Sequence, residues 1–205
     1  AVRELASRMR LALTFAGRAD HAGTTRRDER RDALAAAARL IVAADDLRAE
    51  IAAAGRPLRT TAGRILVEPN ALTAIASGAT VWLDARAAAP ATLDVWLAGV
   101  EAAGEALAQA TGVTVSVAVE SRAAGVTFGE DLRARLRAAG EGDGVPEVLC
   151  WAGHDAGILA ARIPAAMVLV RNATGVSHAA GEHVELADAA RAATLVLRML
   201  EDIAG

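Results

Sequence analysis

The side chains best equipped for chemistry are four histidines, His21, His154, His178 and His183, with one cysteine, Cys150, and the pair Asp84 and Arg86. Neutral imidazole ligates zinc or manganese, and a catalytic zinc takes about three protein ligands with one position left for water. No His-Glu-x-x-His pair is present, and Ser177-His178-Ala179-Ala180-Gly181-Glu182 offers one imidazole and one carboxylate. Glu182 suits a metal ligand, a partner to a ligand, or an acid placed by the dipole near the start of the last helix; the non-ligand readings are favoured. His154, in Ala152-Gly153-His154-Asp155-Ala156, and His178, in Gly175-Val176-Ser177-His178, each follow a short apolar run. Adjacent parallel strands would bring both loops to one sheet edge and both imidazoles into one crevice. Taken singly, each is an ordinary loop histidine.

His21 lies in Gly17-Arg18-Ala19-Asp20-His21-Ala22-Gly23-Thr24-Thr25, a polar loop whose small residues allow a ligand close; the plainer reading is a solvated turn. Arg86 shares a strand face with Asp84. That is either a surface ion pair of little energy or an anion clamp, since guanidinium grips a carboxylate through two parallel hydrogen bonds. Cys150, within Val148-Leu149-Cys150-Trp151, suits a buried inert thiol, and a single cysteine forms no internal disulfide.

The elements that must position these groups follow from periodicity. Leu11, Leu13 and Phe15 alternate with Arg10, Ala12 and Thr14, which predicts a strand over 10–16. Leu34, Ala37, Ile41, Ala44 and Ile51 recur at helical steps, giving about six turns that Gly55 and Pro57 stop. Strands are predicted over 60–68 and 80–86, a second helix from Leu93 that Gly112 closes, and a strand carrying Val113, Val115, Val117 and Val119. Strand, helix, strand, strand, helix, strand is the split ferredoxin-like plan, a four-stranded antiparallel sheet with two helices on one face, over residues 9–121. From about 126 to 205 the pattern becomes helix 129–139, buried strands at 148–151 and 165–170, a helix near 155–161 and a final helix over 186–203. This is a partial parallel α/β segment, and two strands alone do not complete such a domain.

A chain of 205 residues with 54% hydrophobic content can bury a sizeable core, built largely from Ala and Val. Lysine is absent, and a net charge of -3 argues against a nucleic-acid partner. The longest apolar stretches fall short of a bilayer span, so no membrane partner is expected. Arg3 and Glu4 interrupt the position where a secretory leader needs apolar residues, making the cytoplasm the expected location.

Taken in order, His21-Ala22-Gly23-Thr24-Thr25, Arg31-Asp32-Ala33-Leu34, Pro69-Asn70-Ala71, Leu83-Asp84-Ala85-Arg86, Gly153-His154-Asp155-Ala156 and Gly175-Val176-Ser177-His178 with Glu182 resemble the signatures of the N-carbamoyl-L-amino-acid hydrolase and allantoate amidohydrolase family. The resemblance implies a ferredoxin-like lid that also forms a homodimer, and a catalytic domain with two divalent ions per active site, zinc, manganese or cobalt. It implies hydrolysis of a C–N bond in an N-carbamoyl-L-amino acid, allantoate or a related ureido acid. By resemblance His178 is a metal ligand, and His21 stabilises the oxyanion in a neighbouring subunit. Arg86 holds the substrate carboxylate, Gly153 and His154 line the pocket, and Thr73 occupies a substrate-binding position. Family members usually carry Asn where Thr73 stands, and Val-Ile-Pro-Gly where Ala74-Ile75-Ala76-Ser77 follows. They carry Pro where Arg26 stands. The N-terminal half that would bring the other metal ligands and the carboxylate base is absent from these residues, so the chain alone is expected to be incomplete; the alternative is an inactive dimerisation module or remnant.

Overall fold

The computed structural model describes residues 1–140 and 144–205. The chain opens with β1 (Val2–Leu5), β2 (Ser7–Ala16) and the two-residue β3 (Asp20–His21), then enters α1 (Ala33–Ala53). β4 (Leu58–Glu68), β5 (Ala74–Ile75), β6 (Gly78–Ala87), α2 (Pro90–Thr111) and β7 (Thr114–Ala123) follow. β8 (Val126–Thr127), α3 (Glu130–Ala139), β9 (Val148–Cys150), α4 (Asp155–Leu159) and α5 (Leu186–Ala204) complete it. Two compact units result: Ser7–Gly125 is one, and Ala1–Ala6 with Val126–Gly205 is the other.

In the Ser7–Gly125 unit the sheet runs β4-β6-β2-β7, every neighbouring pair antiparallel, which is the ferredoxin-like order. The alternation dictates two unlike faces. Leu11, Leu13, Phe15, Val81, Leu83 and Ala85 are buried beneath the helices, while Arg8, Arg10, Trp82, Asp84 and Arg86 occupy the opposite face. Small side chains let α1 lie close: its buried residues are Ala33, Ala36, Ala37, Leu40 and Ala44. α2 contributes Leu93, Val100 and the largest core side chain, Trp96, whose indole N–H donates to the Ala44 carbonyl at 3.0 Å, so the ring ties the helices by both area and a satisfied polar atom. Asp32 caps α1 by accepting from the Ala35 N–H at 3.0 Å. Gly112, at φ 65, ends α2 in the left-handed conformation that favours glycine.

The other unit holds a three-stranded sheet in which β1 lies between β8, antiparallel, and β9, parallel. Val2, Leu5, Phe128 and Cys150 form its small core, so the cysteine is buried. The sequence pattern misses β1 because Val2 and Leu5, its two buried residues, are not spaced by two, and the register shifts between Val2 and Glu4. The strand expected over 165–170 is not one: that stretch makes a single bond to the sheet, from the Val2 N–H to the Met167 carbonyl at 2.9 Å. β1, four residues long, has no further length against which a ladder could form. α5 lies with its apolar residues largely open, Leu186 being 84% exposed and Leu197 56%. Among the described residues no helix is long and apolar enough to cross a membrane.

Gly17 governs how the chain leaves β2. A Cβ there would sit 2.0 Å from the Arg31 carbonyl oxygen, while its N–H donates to the Ser77 carbonyl at 2.7 Å and the Arg18 N–H donates to that same Arg31 oxygen at 2.9 Å. Backbone crowding of this kind has no side chain to give way. Gly17→Ala is therefore expected to destabilise the unit by about 1–3 kcal/mol and displace the following loop, measured by urea unfolding and by amide shifts at residues 18–25.

Candidate functional site

His21 stands on the loop that Gly17 launches. β3 pairs antiparallel with β5, placing His21 opposite Ala74, and the Ala22 N–H donates to the Thr73 carbonyl at 2.9 Å. Two residues remote in sequence, His21 and Thr73, thus become neighbours. Arg30 pins the loop from behind: its guanidinium donates to the Ala22 carbonyl at 2.6 Å and to the Thr25 carbonyl at 3.0 Å. The imidazole Nδ1 accepts from the N–H groups of Gly23 at 3.0 Å and Thr24 at 3.1 Å. A nitrogen that accepts carries no hydrogen in the neutral ring, so the proton resides on Nε2, and the exposed ring offers a donor. Asp20 accepts from the His21 N–H at 2.8 Å. That bond, followed by a side-chain hydrogen bond with Thr25 and then the nearby charge of Arg18, holds the Asp20 carboxyl below its ordinary range.

Arg86 belongs to a different part of the unit. On the helix-free face its Nε donates to Asp84 Oδ1 at 2.8 Å, while Arg10 Nε donates to Asp84 Oδ2 at 3.2 Å. Gly78, beside which the His21 loop attaches through Ser77, and Arg86 lie toward opposite ends of β6. At the rise of a strand they are about 26 Å apart. Within one copy of the chain, a small substrate cannot touch both His21 and Arg86.

In the other unit, Gly153 is exposed and His154 is the residue before α4, its carbonyl accepting from the Gly157 N–H at 2.9 Å and its ring exposed. A Cβ on buried Gly157 would come within 2.5 Å of Leu5 Cδ1, so α4 rests on β1 through the missing side chain. His178 adopts φ 58, a left-handed conformation that costs a non-glycine residue about 1–2 kcal/mol. Glu182 meets that cost by accepting from the His178 N–H at 3.0 Å and from the Ser177 hydroxyl at 3.4 Å. Its two oxygens serve the turn. The preceding turn is built by Asn172, whose Oδ1 accepts from the N–H groups of Thr174 at 3.1 Å and Gly175 at 3.2 Å, and whose Nδ2 donates to the Val176 carbonyl at 2.7 Å.

The sequence profile of peptidase family M20/M25/M40 matches residues 17–202. The chain belongs to that family. It is 30% identical to the allantoate amidohydrolase of Bacillus subtilis over 208 residues, an alignment covering 98% of this chain and 48% of that protein. It is 25% identical to the allantoate amidohydrolase of Escherichia coli, over 99% of this chain and 49% of the relative. Among solved structures, an amidase of the hydantoinase/carbamoylase family from Burkholderia vietnamiensis superposes with a TM-score of 0.88 at 29% identity, over 98% of this chain and 48% of that one. This M20 chain therefore spans about half the length of the curated relatives it matches.

Whether these residues fit a metal can be judged from the donors. Among the described residues, no three His, Cys, Asp or Glu side chains group to hold an ion. His183 pairs with Glu185 at 3.5 Å on the surface, and Cys150 is buried. The donors among the described residues do not make a complete centre. Sequence reasoning missed Arg30 and Asn172, whose side chains act on backbone carbonyls and amides. Only Asn172, in Asn172-Ala173-Thr174-Gly175, carries a signal, the turn-forming habit of asparagine before glycine.

Two measurements check the loop. Imidazole nitrogen shifts of His21 at neutral pH are expected to show an unprotonated Nδ1 and a protonated Nε2. Because the folded Asp20 carboxyl is depressed, its contribution is complete above the ordinary value of 3.8 and is lost as pH falls through the lower folded value. The His21 amide shift should accordingly titrate with a midpoint below 3.8.

Proposed function

We propose that this M20 chain forms the lid and part of the catalytic domain of a metal-dependent amidohydrolase that cleaves the C–N bond of an N-carbamoyl-L-amino acid, allantoate or a related ureido acid. The observation that carries the reading is the His21 loop, in which two backbone amides occupy Nδ1 and leave Nε2–H as an outward donor. Such a donor is suited to the negative charge that develops on a carbamoyl oxygen as its carbon becomes tetrahedral. Arg86, oriented by Asp84, holds the substrate carboxylate. Thr73, whose backbone carbonyl accepts from the Ala22 N–H next to His21, would contribute to substrate binding, and Gly153 and His154 would line the pocket.

The separation of His21 from Arg86 supports a homodimer through the Ser7–Gly125 unit, in which the substrate held by one copy's arginine meets the other copy's histidine. β4 is an edge strand of eleven residues, largely exposed, with Ile65 and Leu66 open by 45% and 49%, and is suited to such pairing. A divalent pair, zinc, manganese or cobalt, belongs to this reading and would supply the attacking hydroxide. Among the described residues this reading gives it one position, His178, and takes the remaining ligands and the general base from elsewhere. A second reading, an inactive dimerisation module, is favoured by the lack of any three-ligand group among the described residues and by Thr73.

The test is to combine the chain with a polypeptide corresponding to the other half of its relatives, and to assay ammonia or amino-acid release with and without chelator. Metal-dependent turnover is expected, falling about 10²- to 10³-fold in kcat for His21→Ala and rising chiefly in KM for Arg86→Ala. The isolated chain should sediment as a dimer without stoichiometric zinc. A dimer that never turns over in any combination establishes the module.

A further inference from the structure

The helix-free face of the Ser7–Gly125 sheet gathers arginines. Strand register sets two adjacent rows there: Thr61, Asp84, Arg10 and Ser121 in one, Arg59, Arg86, Arg8 and Ala123 in the next. These rows hold four guanidiniums and a single carboxylate. Asp84 is used on both oxygens, by Arg86 and by Arg10. One row further on, Arg64 lies 4.5 Å from the centre of the Trp82 ring, whose N–H donates to Glu120 at 2.8 Å, so that cation has its own partner.

Arg8 has no such arrangement. Directly opposite Arg86 in the ladder, it places like charges side by side, which destabilises an antiparallel pair unless something of opposite sign lies between them. Its Nε is shielded from solvent and has no hydrogen-bond partner among the described residues. The one other side-chain atom in that condition there is Ser121 Oγ, which sits opposite Arg10 in the neighbouring row. Two shielded donors without acceptors on one patch, next to a row of guanidiniums, describe a site for an anion.

We propose that Arg8, Arg86 and Ser121 form a subsite for a second negative group, so that the ureido acid this protein takes is a dianion, such as the N-carbamoyl derivative of an acidic amino acid. This rests on the function proposed above. Opposed residues of an antiparallel pair stand about 5 Å apart, a spacing suited to two carboxylates carried on one short carbon chain. Arg86 takes the α-carboxylate. Arg8 takes the second carboxylate, with the Ser121 hydroxyl donating to it, and so decides specificity without touching the scissile bond.

Titration calorimetry of the chain with N-carbamoyl-L-aspartate, N-carbamoyl-L-alanine, succinate and acetate tests the proposal. Each dianion is expected to bind about tenfold or more tightly than its monoanion counterpart, the increment of one charge-assisted contact. Arg8→Gln should erase that ratio while leaving the monoanions within about twofold, and Arg86→Gln should weaken all four. Arg122→Gln, which alters the helix side of β7, should change none of them. Arg8→Gln should also melt no lower than the parent in anion-free buffer, since it removes a like-charge neighbour. If that variant unfolds, Ser121→Ala carries the test through a smaller loss confined to the dianions. A ratio near one in both pairs, or a ratio that survives Arg8→Gln, overturns the subsite and leaves the ureido-acid function standing. Arg8-dependent preference for succinate over acetate, with nothing gained from the carbamoyl group, keeps the anion site and removes the ureido acid.

Discussion

A slip of one residue between β2 and β6 would exchange their two faces, sending Arg8, Arg10, Asp84 and Arg86 into the helices and Leu11, Leu13, Val81 and Leu83 into water. The ladder of these central strands is therefore the constraint on which the rest depends. It is held by apolar side chains that have nowhere else to go, and the charged face comes into register as a by-product. The hydrophobic effect fixes the positions of the guanidiniums without contributing anything to what they bind.

The same economy appears at both histidine loops. In each, the imidazole-bearing turn is organised by side chains that address backbone and not substrate: Arg30 behind His21, Glu182 and Asn172 around His178. Each loop is thereby held by several hydrogen bonds to its own backbone. The His21 ring completes its own turn by accepting two amide hydrogens, so its orientation and its tautomer are decided together.

Much of this was legible in the sequence, and the failures have physical causes. The valine and leucine alternations of β2, β6 and β7, and the helical spacing of α1, mark elements whose faces differ sharply, and these were read correctly. β1 was not, since a four-residue strand with an irregular register leaves no periodicity to detect. The apolar run at 165–170 looked like a strand because apolar runs report burial, whereas a strand also requires a partner of matching length. The ferredoxin-like order follows from the element sequence, yet the contact between His21 and Thr73 does not: it depends on a two-residue bridge, β3 to β5, that no pattern announces. Arg86 was recognisable from the strand alternation as sharing a face with Asp84, and the ion pair between them is what the structure shows. Arg8 was invisible because its interest lies in lacking a partner, a property only coordinates reveal.

The pairing of Leu5 with Val126 has a kinetic meaning. These two residues flank the whole Ser7–Gly125 unit, so the sheet they share cannot close until that insertion has brought its own ends together. For a flexible loop of this length, closure would cost about 4 kcal/mol in chain entropy. An insertion that has already folded, with Arg8 and Ala123 side by side in β2 and β7, presents its termini at strand spacing and removes most of that cost. A folded Ser7–Gly125 unit thus holds the segments that carry Leu5 and Val126 within reach of each other.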